Sequence, residues 1–383
     1  MCANHRVPCR WACLGGGFVA KNDFLVEIMT EVPSTSIPAV CPELGIEVPV
    51  AAIDRELRKL WEQDEARTNA SLMNLVVYSE KPGALIANSE IIRELTREHA
   101  CRAILVGIDR HEPEPSLRAW ITAHCHLADG RKSVCCEQIA FYLTGRVTGR
   151  FRNTVFAHLN SDLPLIFWWQ GELSEILTER LVSVMDRLVI DSSSWADPAA
   201  SFAMIEETSQ SNPDLVIQDH AWTRSWQFRV GIASLFDDPA AQKALPEISN
   251  IEVVYHPANR NTALQVLAWL AVQAGWKDRK SPDTVAFEST AGVPISVVLR
   301  EDSAGPPLGS LVIRAGSVTV RVLQKPGASH VERQVEAAAF KATSLSPIDP
   351  TTPAELVAVQ LARGGKNSLY QKILPRFRAM LQA

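Results

Sequence analysis

The sequence predicts an α/β protein: two α/β domains, mixed sheets flanked by helices, with an antiparallel strand-rich C-terminal part. Three observations carry this. Strand-like, helix-like and strand-like runs follow one another over residues 72–108 and again over 164–191. Parallel strands joined by a crossover helix need that order and length. Two long strand-like runs flank Asp129-Gly130, a strong hairpin signal. From about residue 283 the helical periods give way to short alternating runs such as Val318, Val320 and Val322 with Thr319 and Arg321 between them, the pattern of a sheet with one wetter face.

Taken in order, residues 1–47 read as a disordered or extended leader. Arg6 and Arg10 precede a short apolar run without a clear cleavage site, and Met29 opens a more ordinary soluble start. Pro33, Pro38, Pro42 and Pro49 then break regular structure. The first domain is expected over 48–162. Ile53, Leu57, Leu60 and Trp61 are spaced as one face of a helix over 50–65. Strands follow at 72–79 and 101–108, with a helix over 82–99 between them, and the hairpin strands at 117–128 and 133–144. With Asp129 and Gly130 as a two-residue loop, His124 faces Cys135, His126 faces Ser133 and Thr122 faces Glu137. Residues 150–160 are expected to be helical.

The second domain is expected over 163–383. The apolar run 164–171 reads as a buried strand. Leu173, Ile176, Leu177, Leu181, Val184 and Leu188 mark a helix, and 188–191 a strand. Helices are expected over 198–209 and 221–236, with 215–217 too short to assign. A strand at 250–255 leads to a helix over 262–274, with Asn261 as its N-cap and Gly275 just past its end. Short strands at 284–289, 293–300, 309–314, 317–323 and 331–338 precede helices over 353–362 and 368–381. Pro375 should kink or split the last of these.

Composition narrows the function. The chain has 383 residues and a formal net charge of −5, without the basic excess a general nucleic-acid binder needs. No run of about 18 apolar residues is present, so no membrane partner is expected. GxGxxG after a strand, the Walker A loop, GxSxG, HExxH and CxxC pairs are absent. No catalytic, cofactor or metal residues are therefore assigned. The eight cysteines are scattered, which favours a reducing, cytoplasmic setting.

Three features remain as candidates. Cys125, Cys135 and Cys136 sit beside histidines that can lower a thiol pKa, so they are redox candidates. In the two-residue-loop register His124, His126, Cys135 and Glu137 would share one face. That donor set suits zinc, but Trp120, Ile139, Phe141 and Leu143 on the same face make core packing the expectation. Trp168-Trp169 points one ring to each side of its strand, which makes both candidates for a partner or ligand contact. From Arg363 onward there are basic residues and no acidic one, so Arg376 and Arg378 are candidates for an acidic partner or a phosphorylated ligand.

Several segments together resemble one family: LMNLVVYS (72–79), CRAILVGI (101–108), RAWITAHCHL (118–127), VCCEQIAFYLTG (134–145), SDLPLIFWWQGEL (161–173) and LVIDSSSW (188–195). They are similar to the OpcA family of glucose-6-phosphate dehydrogenase assembly proteins. The resemblance runs from about residue 50 to beyond 270, with a weaker continuation after 283. It implies a non-catalytic cytosolic protein that binds, assembles or allosterically activates glucose-6-phosphate dehydrogenase in the oxidative pentose phosphate pathway. In cyanobacterial relatives it implies a link to redox control. It carries no catalytic residues and no cofactor. The alternative is a sugar-phosphate-binding protein or uncharacterised enzyme with a pocket near Trp168 and Trp169.

Overall fold

Tracing the hydrogen-bonded strands of the computed structural model gives two large sheets. The structure describes residues 41–62, 67–69, 71–128, 132–279, 285–363 and 368–382. Most of the expected leader therefore lies outside the described residues. Its last part is ordered: Cys41 and Leu44 are buried, and β1 (Ile46–Glu47) pairs with Ile121 and Trp120. Regular structure thus begins before residue 48.

The first sheet contains β1, β2 (Arg67–Asn69), β3 (Asn74–Ser79), β4 (Arg102–Asp109), β5 (Leu117–Ala128), β6 (Lys132–Thr144), β7 (Leu165–Gln170), β8 (Arg187–Ile190) and β9 (Val216–Asp219). Its order is β1-β5-β6-β4-β3-β7-β8-β9, with β2 beside β6. Strands β6, β4, β3, β7, β8 and β9 are parallel. Numbered along the chain, these six read 3-2-1-4-5-6 across the sheet, the doubly wound order. The strand at 164–171 therefore pairs with β3 in this sheet, and the expected boundary at residue 163 does not separate the sheets.

Helices cover both faces. On one side α2 (Ala84–Leu95) packs Leu85 and Ile92 against Val77 and Trp168. On the other, α1 (Ile53–Glu62), α3 (Phe151–Phe156), α4 (Glu179–Val182) and α5 (Pro198–Ser209) bury Ile53, Phe151, Leu181 and Phe202. The helix expected over 173–188 is only α4: Leu173, Ile176 and Leu177 pack on the core from irregular chain, Val184 is exposed and Leu188 belongs to β8. The one expected over 221–236 is broken at Ser225 into α6 (His220–Thr223) and α7 (Trp226–Leu235).

The second sheet runs β11-β12-β13-β10-β14-β15-β16-β17. Its strands are β10 (Ile248–Tyr255), β11 (Lys277–Asp278), β12 (Ala286–Glu288), β13 (Pro294–Glu301), β14 (Leu308–Ala315), β15 (Val318–Leu323), β16 (His330–Ala337) and β17 (Phe340–Pro347). Only β10 and β13 pair in parallel. Helices α7, α8 (Pro239–Ala244) and α9 (Arg260–Gln273) pack on one face, over the buried Val320, Val322, Val331 and Val335. Asn259, not Asn261, occupies the N-cap position of α9, because Pro257 starts a short turn ahead of it. Gly275 has the expected positive φ of 66°. The strand β17 was not anticipated, since its side chains are nearly all exposed. Finally α10 (Pro353–Ala362) returns to the first sheet, where Val357 joins Leu85 and Trp168, and α11 (Ser368–Leu381) continues through Pro375. Among the described residues no helix is long and apolar enough to cross a membrane.

Candidate functional site

In a doubly wound sheet, ligands bind beyond the carboxyl ends of the parallel strands, where the strand order reverses. Here that point lies between β3 and β7. In a dinucleotide-binding protein the first turn there is glycine-rich and lets phosphate approach the helix N-terminus. This chain instead reads Ser79-Glu80-Lys81-Pro82-Gly83. Glu80 Oε1 accepts from Tyr78 OH at 2.6 Å, Arg110 Nη2 at 3.0 Å and Ser174 Oγ at 3.1 Å. Arg110 also pairs with Glu175. Asn88 of α2 and Gln170 of β7 exchange amide hydrogen bonds at 2.9 and 2.8 Å. In place of a glycine-rich phosphate turn, this end of the sheet carries a Glu80–Arg110 ion pair and an Asn88–Gln170 amide pair.

A second polar cluster lies beyond β8 and β9. Asp219 is fully buried and accepts from Ser192 N at 3.0 Å, Ser192 Oγ at 2.5 Å, Ala221 N at 2.9 Å, Gln265 Nε2 at 2.7 Å and Tyr370 OH at 3.0 Å. Burial pushes its carboxyl above the usual range. Asp191 is doubly bonded to Arg224, at 2.7 and 2.6 Å. Its carboxyl sits at about 2, below the usual range although burial acts to raise it, because the hydrogen bonds and charge of Arg224 outweigh burial. The Asp-Ser-Ser-Ser-Trp word therefore closes a joint: Asn261 and Gln265 come from α9, which lies under the second sheet, and Tyr370 from α11. Sequence reasoning missed Asp219, Gln265 and Tyr370. The available signal was Asn261 and Gln265, two polar residues four apart on a helix whose middle, Ala263–Val272, is otherwise apolar.

The hairpin differs from expectation by one residue. His124 pairs with Cys136, Cys125 with Cys135 and His126 with Val134. Strand β5 ends at Ala128 and β6 begins at Lys132, leaving three residues between them rather than two. Asp129 and Gly130 themselves lie outside the described residues. The shift puts His124 and His126 on the face opposite Cys135 and Glu137, which breaks up the zinc grouping. His124 Nε2 meets Gln138 Oε1 at 2.9 Å and His126 Nε2 meets Thr96 Oγ1 at 3.0 Å, while Glu137 accepts from Trp61 Nε1 at 2.6 Å. Burial lowers both imidazole pKa values. Among the described residues no group of three His, Cys, Asp or Glu side chains could hold a metal ion.

The new register joins Cys125 and Cys135 in a disulfide, with 4.1 Å between their Cα atoms. Cys135 is buried and Cys125 exposed. Cys136 is a buried free thiol whose pKa burial raises, so it lacks the thiolate character of a reactive cysteine. The disulfide closes a loop of sequence separation 10, for which chain entropy gives about 2–3 kcal/mol. Reductant is expected to lower the urea-unfolding stability by about that amount. The Cys125→Ser variant should match the reduced protein and ignore reductant. Equal stability with and without reductant would show that the bond contributes nothing.

The remaining candidates turn inward. Trp168 and Trp169 are 2% and 0% exposed and lie on opposite faces of the first sheet. Trp168 lies 5.8 Å from the His220 ring, and Trp169 4.2 Å from Tyr78 with its Nε1 donating to Glu172 O. Neither ring reaches the surface. Arg376 donates to Trp276 O at 2.9 Å and pairs with Asp278 at 3.2 Å, and Arg378 pairs with Glu206. Both guanidinium groups thus already have an acidic partner within the chain.

Comparison with known proteins gives these features a setting. Residues 92–207 match a family model described as glucose-6-phosphate dehydrogenase subunit N-terminal domain, and residues 215–374 one described as its C-terminal domain. The two together span well over half the chain. Proteins of Synechocystis sp. and Synechococcus elongatus that carry the OxPP cycle name OpcA are 24% and 21% identical over 320 and 322 residues. These alignments cover 78% and 76% of this chain and 67% and 69% of theirs. Among solved structures, a 3-ketoreductase from Actinomadura kijaniata overlaps 82% of this chain and 97% of its own at 9% identity and a TM-score of 0.44. An aldose-aldose oxidoreductase from Caulobacter crescentus overlaps 81% and 97% at 11% identity, also with a TM-score of 0.44. Overlaps this loose carry no activity across. The two matched domains establish that the chain belongs to the OpcA family of glucose-6-phosphate dehydrogenase assembly proteins.

Proposed function

We propose that this protein binds glucose-6-phosphate dehydrogenase in the cytoplasm as a non-catalytic assembly factor and allosteric activator. The observation that carries the reading is the match of two consecutive stretches to the two domains of a dehydrogenase subunit. The turn after β3 supports it. It holds the Glu80–Arg110 ion pair where a dinucleotide-binding protein has glycines that let phosphate approach the helix N-terminus. Trp168 and Trp169 offer a sugar phosphate no open wall. The net charge of −5 gives no reason to expect a nucleic-acid partner.

The test is dehydrogenase kinetics with increasing amounts of the purified chain. Activation should saturate, and a substrate that favours the active enzyme should tighten the complex by the factor by which the chain raises the enzyme's affinity for that substrate. Failure to bind or activate the cognate dehydrogenase at any substrate concentration would defeat the proposal.

A further inference from the structure

The second sheet has one face that no described helix covers. Helices α7, α8 and α9 lie on the face of Val320 and Val322. The alternate residues of six adjacent strands, from β13 to β17, point the other way. On this outer face Val298 is 42% and Leu345 58% exposed, at the two ends of the six strands.

Register locates the charges on this face. Toward β13 and β14, Arg300 and Arg314 flank Glu252 at 3.1 and 3.6 Å. Toward β16 and β17 lie Glu332 and Glu336, the latter paired with Lys341 at 3.3 Å. Arg321 sits between the two groups, level with Glu252 and Gln334. Both signs are present in near balance, so the face exerts no strong one-signed pull on a partner.

We infer that this open face is a self-complementary surface that takes a second copy of the chain. A two-fold axis parallel to the strands, between β14 and β15, lays β13 of one copy on β17 of the other and β10 on β16. Arg300 then lies over Leu345 of the second copy and beside its Glu332. Glu252 meets Gln334, Asn250 meets Glu336 and Arg321 meets Val312. No like charges sit directly opposite one another; the two Arg321 side chains lie one strand apart across the axis, each also beside the other copy's Glu252. An axis across the strands would instead set Glu252 on Glu252, Arg321 on Arg321 and Glu332 over Glu336, which like-charge repulsion disfavours. The contact is isologous, as a closed dimer requires.

The area is sufficient. At about 4.8 Å between strands and about 3.4 Å per residue, six strands of six residues present about 29 Å by 20 Å, roughly 600 Å² in projection. Two such faces together exceed the roughly 1,000 Å² that a specific interface needs.

Sedimentation velocity of the full chain across a concentration series tests this. The wild type should dimerise at micromolar concentration. Leu345→Arg sets a second cation over Arg300 and should weaken the dimer at least tenfold, whereas Leu345→Glu should keep or tighten it. The position is well exposed, so both variants should fold. Short bismaleimide linkers should join a Val298→Cys chain to a Thr343→Cys chain and should not join two Val298→Cys chains. A monomer at all concentrations, or equal weakening by Arg and Glu, would overturn the inference. So would a monomer in which Leu345→Arg abolishes dehydrogenase activation, because the face would then belong to the dehydrogenase.

Discussion

Replacing Asp219 with alanine is expected to destabilise the protein by about 3–5 kcal/mol, the scale of leaving several buried donors without an acceptor. The change leaves the Ser192 amide and hydroxyl, the Ala221 amide, the Gln265 amide and the Tyr370 hydroxyl without their acceptor. None of these groups can turn to bulk water, because Ser192, Ala221, Gln265 and Tyr370 are all buried. Asp219→Asn should cost far less, within about 1.5 kcal/mol. Its remaining oxygen can hold the two backbone amides. Gln265 Oε1 has no hydrogen-bond partner among the described residues, so a flipped Gln265 amide can accept from the new NH2, and both hydroxyls can rotate. Urea unfolding of the two variants measures the difference. A cost for Asn equal to that for Ala would show that the charge itself, rather than the acceptor geometry, holds the joint. The effect on dehydrogenase activation should follow stability, since the cluster is sealed from any partner.

How far the sequence foretells this joint depends on which forces act locally. Strands β3, β4 and β7 are buried on both faces, so their continuous apolar runs announced them. Strand β17 is exposed along nearly its whole length, and its side chains gave no period to read. The hairpin was visible, but its register depended on the loop length, and one extra residue moved every side chain to the other face. That single slip separated His124 and His126 from Cys135 and brought Cys125 against Cys135 instead. The doubly wound order and the Asp219 cluster depend on pairings far apart in sequence, such as Ser192 with Gln265 and Asp219 with Tyr370. No local periodicity encodes those contacts. Trp168 and Trp169 were conspicuous as residue types, yet their position at the centre of a sheet covered on both faces made them core.

Between pH 4.5 and 8 the wild type is expected to lose stability relative to Asp349→Asn, by about 4 kcal/mol at most. Asp349 follows β17 and is buried against the start of α7, where Ser225 makes no side-chain cap. Its Oδ1 accepts from Gln227 N at 2.8 Å, so it caps a helix 122 residues away in sequence. Its Oδ2 has no hydrogen-bond partner among the described residues. Burial pushes the carboxyl up to about 7, against the pull of the α7 amides and of Arg229. Arg229 is itself buried, donates to Ser225 and Trp222, and lies 3.2 Å over the Trp222 ring. Arg363 faces the carboxyl from the end of α10. The sign follows from the shift. A group whose folded pKa exceeds its unfolded value of about 4 contributes stability that is complete below pH 4 and lost as the pH rises through 7. Asparagine keeps the acceptor for Gln227 and carries no charge, so it removes this dependence and should be the more stable form at pH 8. Urea midpoints of both proteins at pH 4.5, 6 and 8, compared as differences, cancel the titration of every other carboxyl. If the Asn variant is instead the weaker protein at pH 8, the ionised Asp349 is held by Arg229, and its charge stabilises the start of α7.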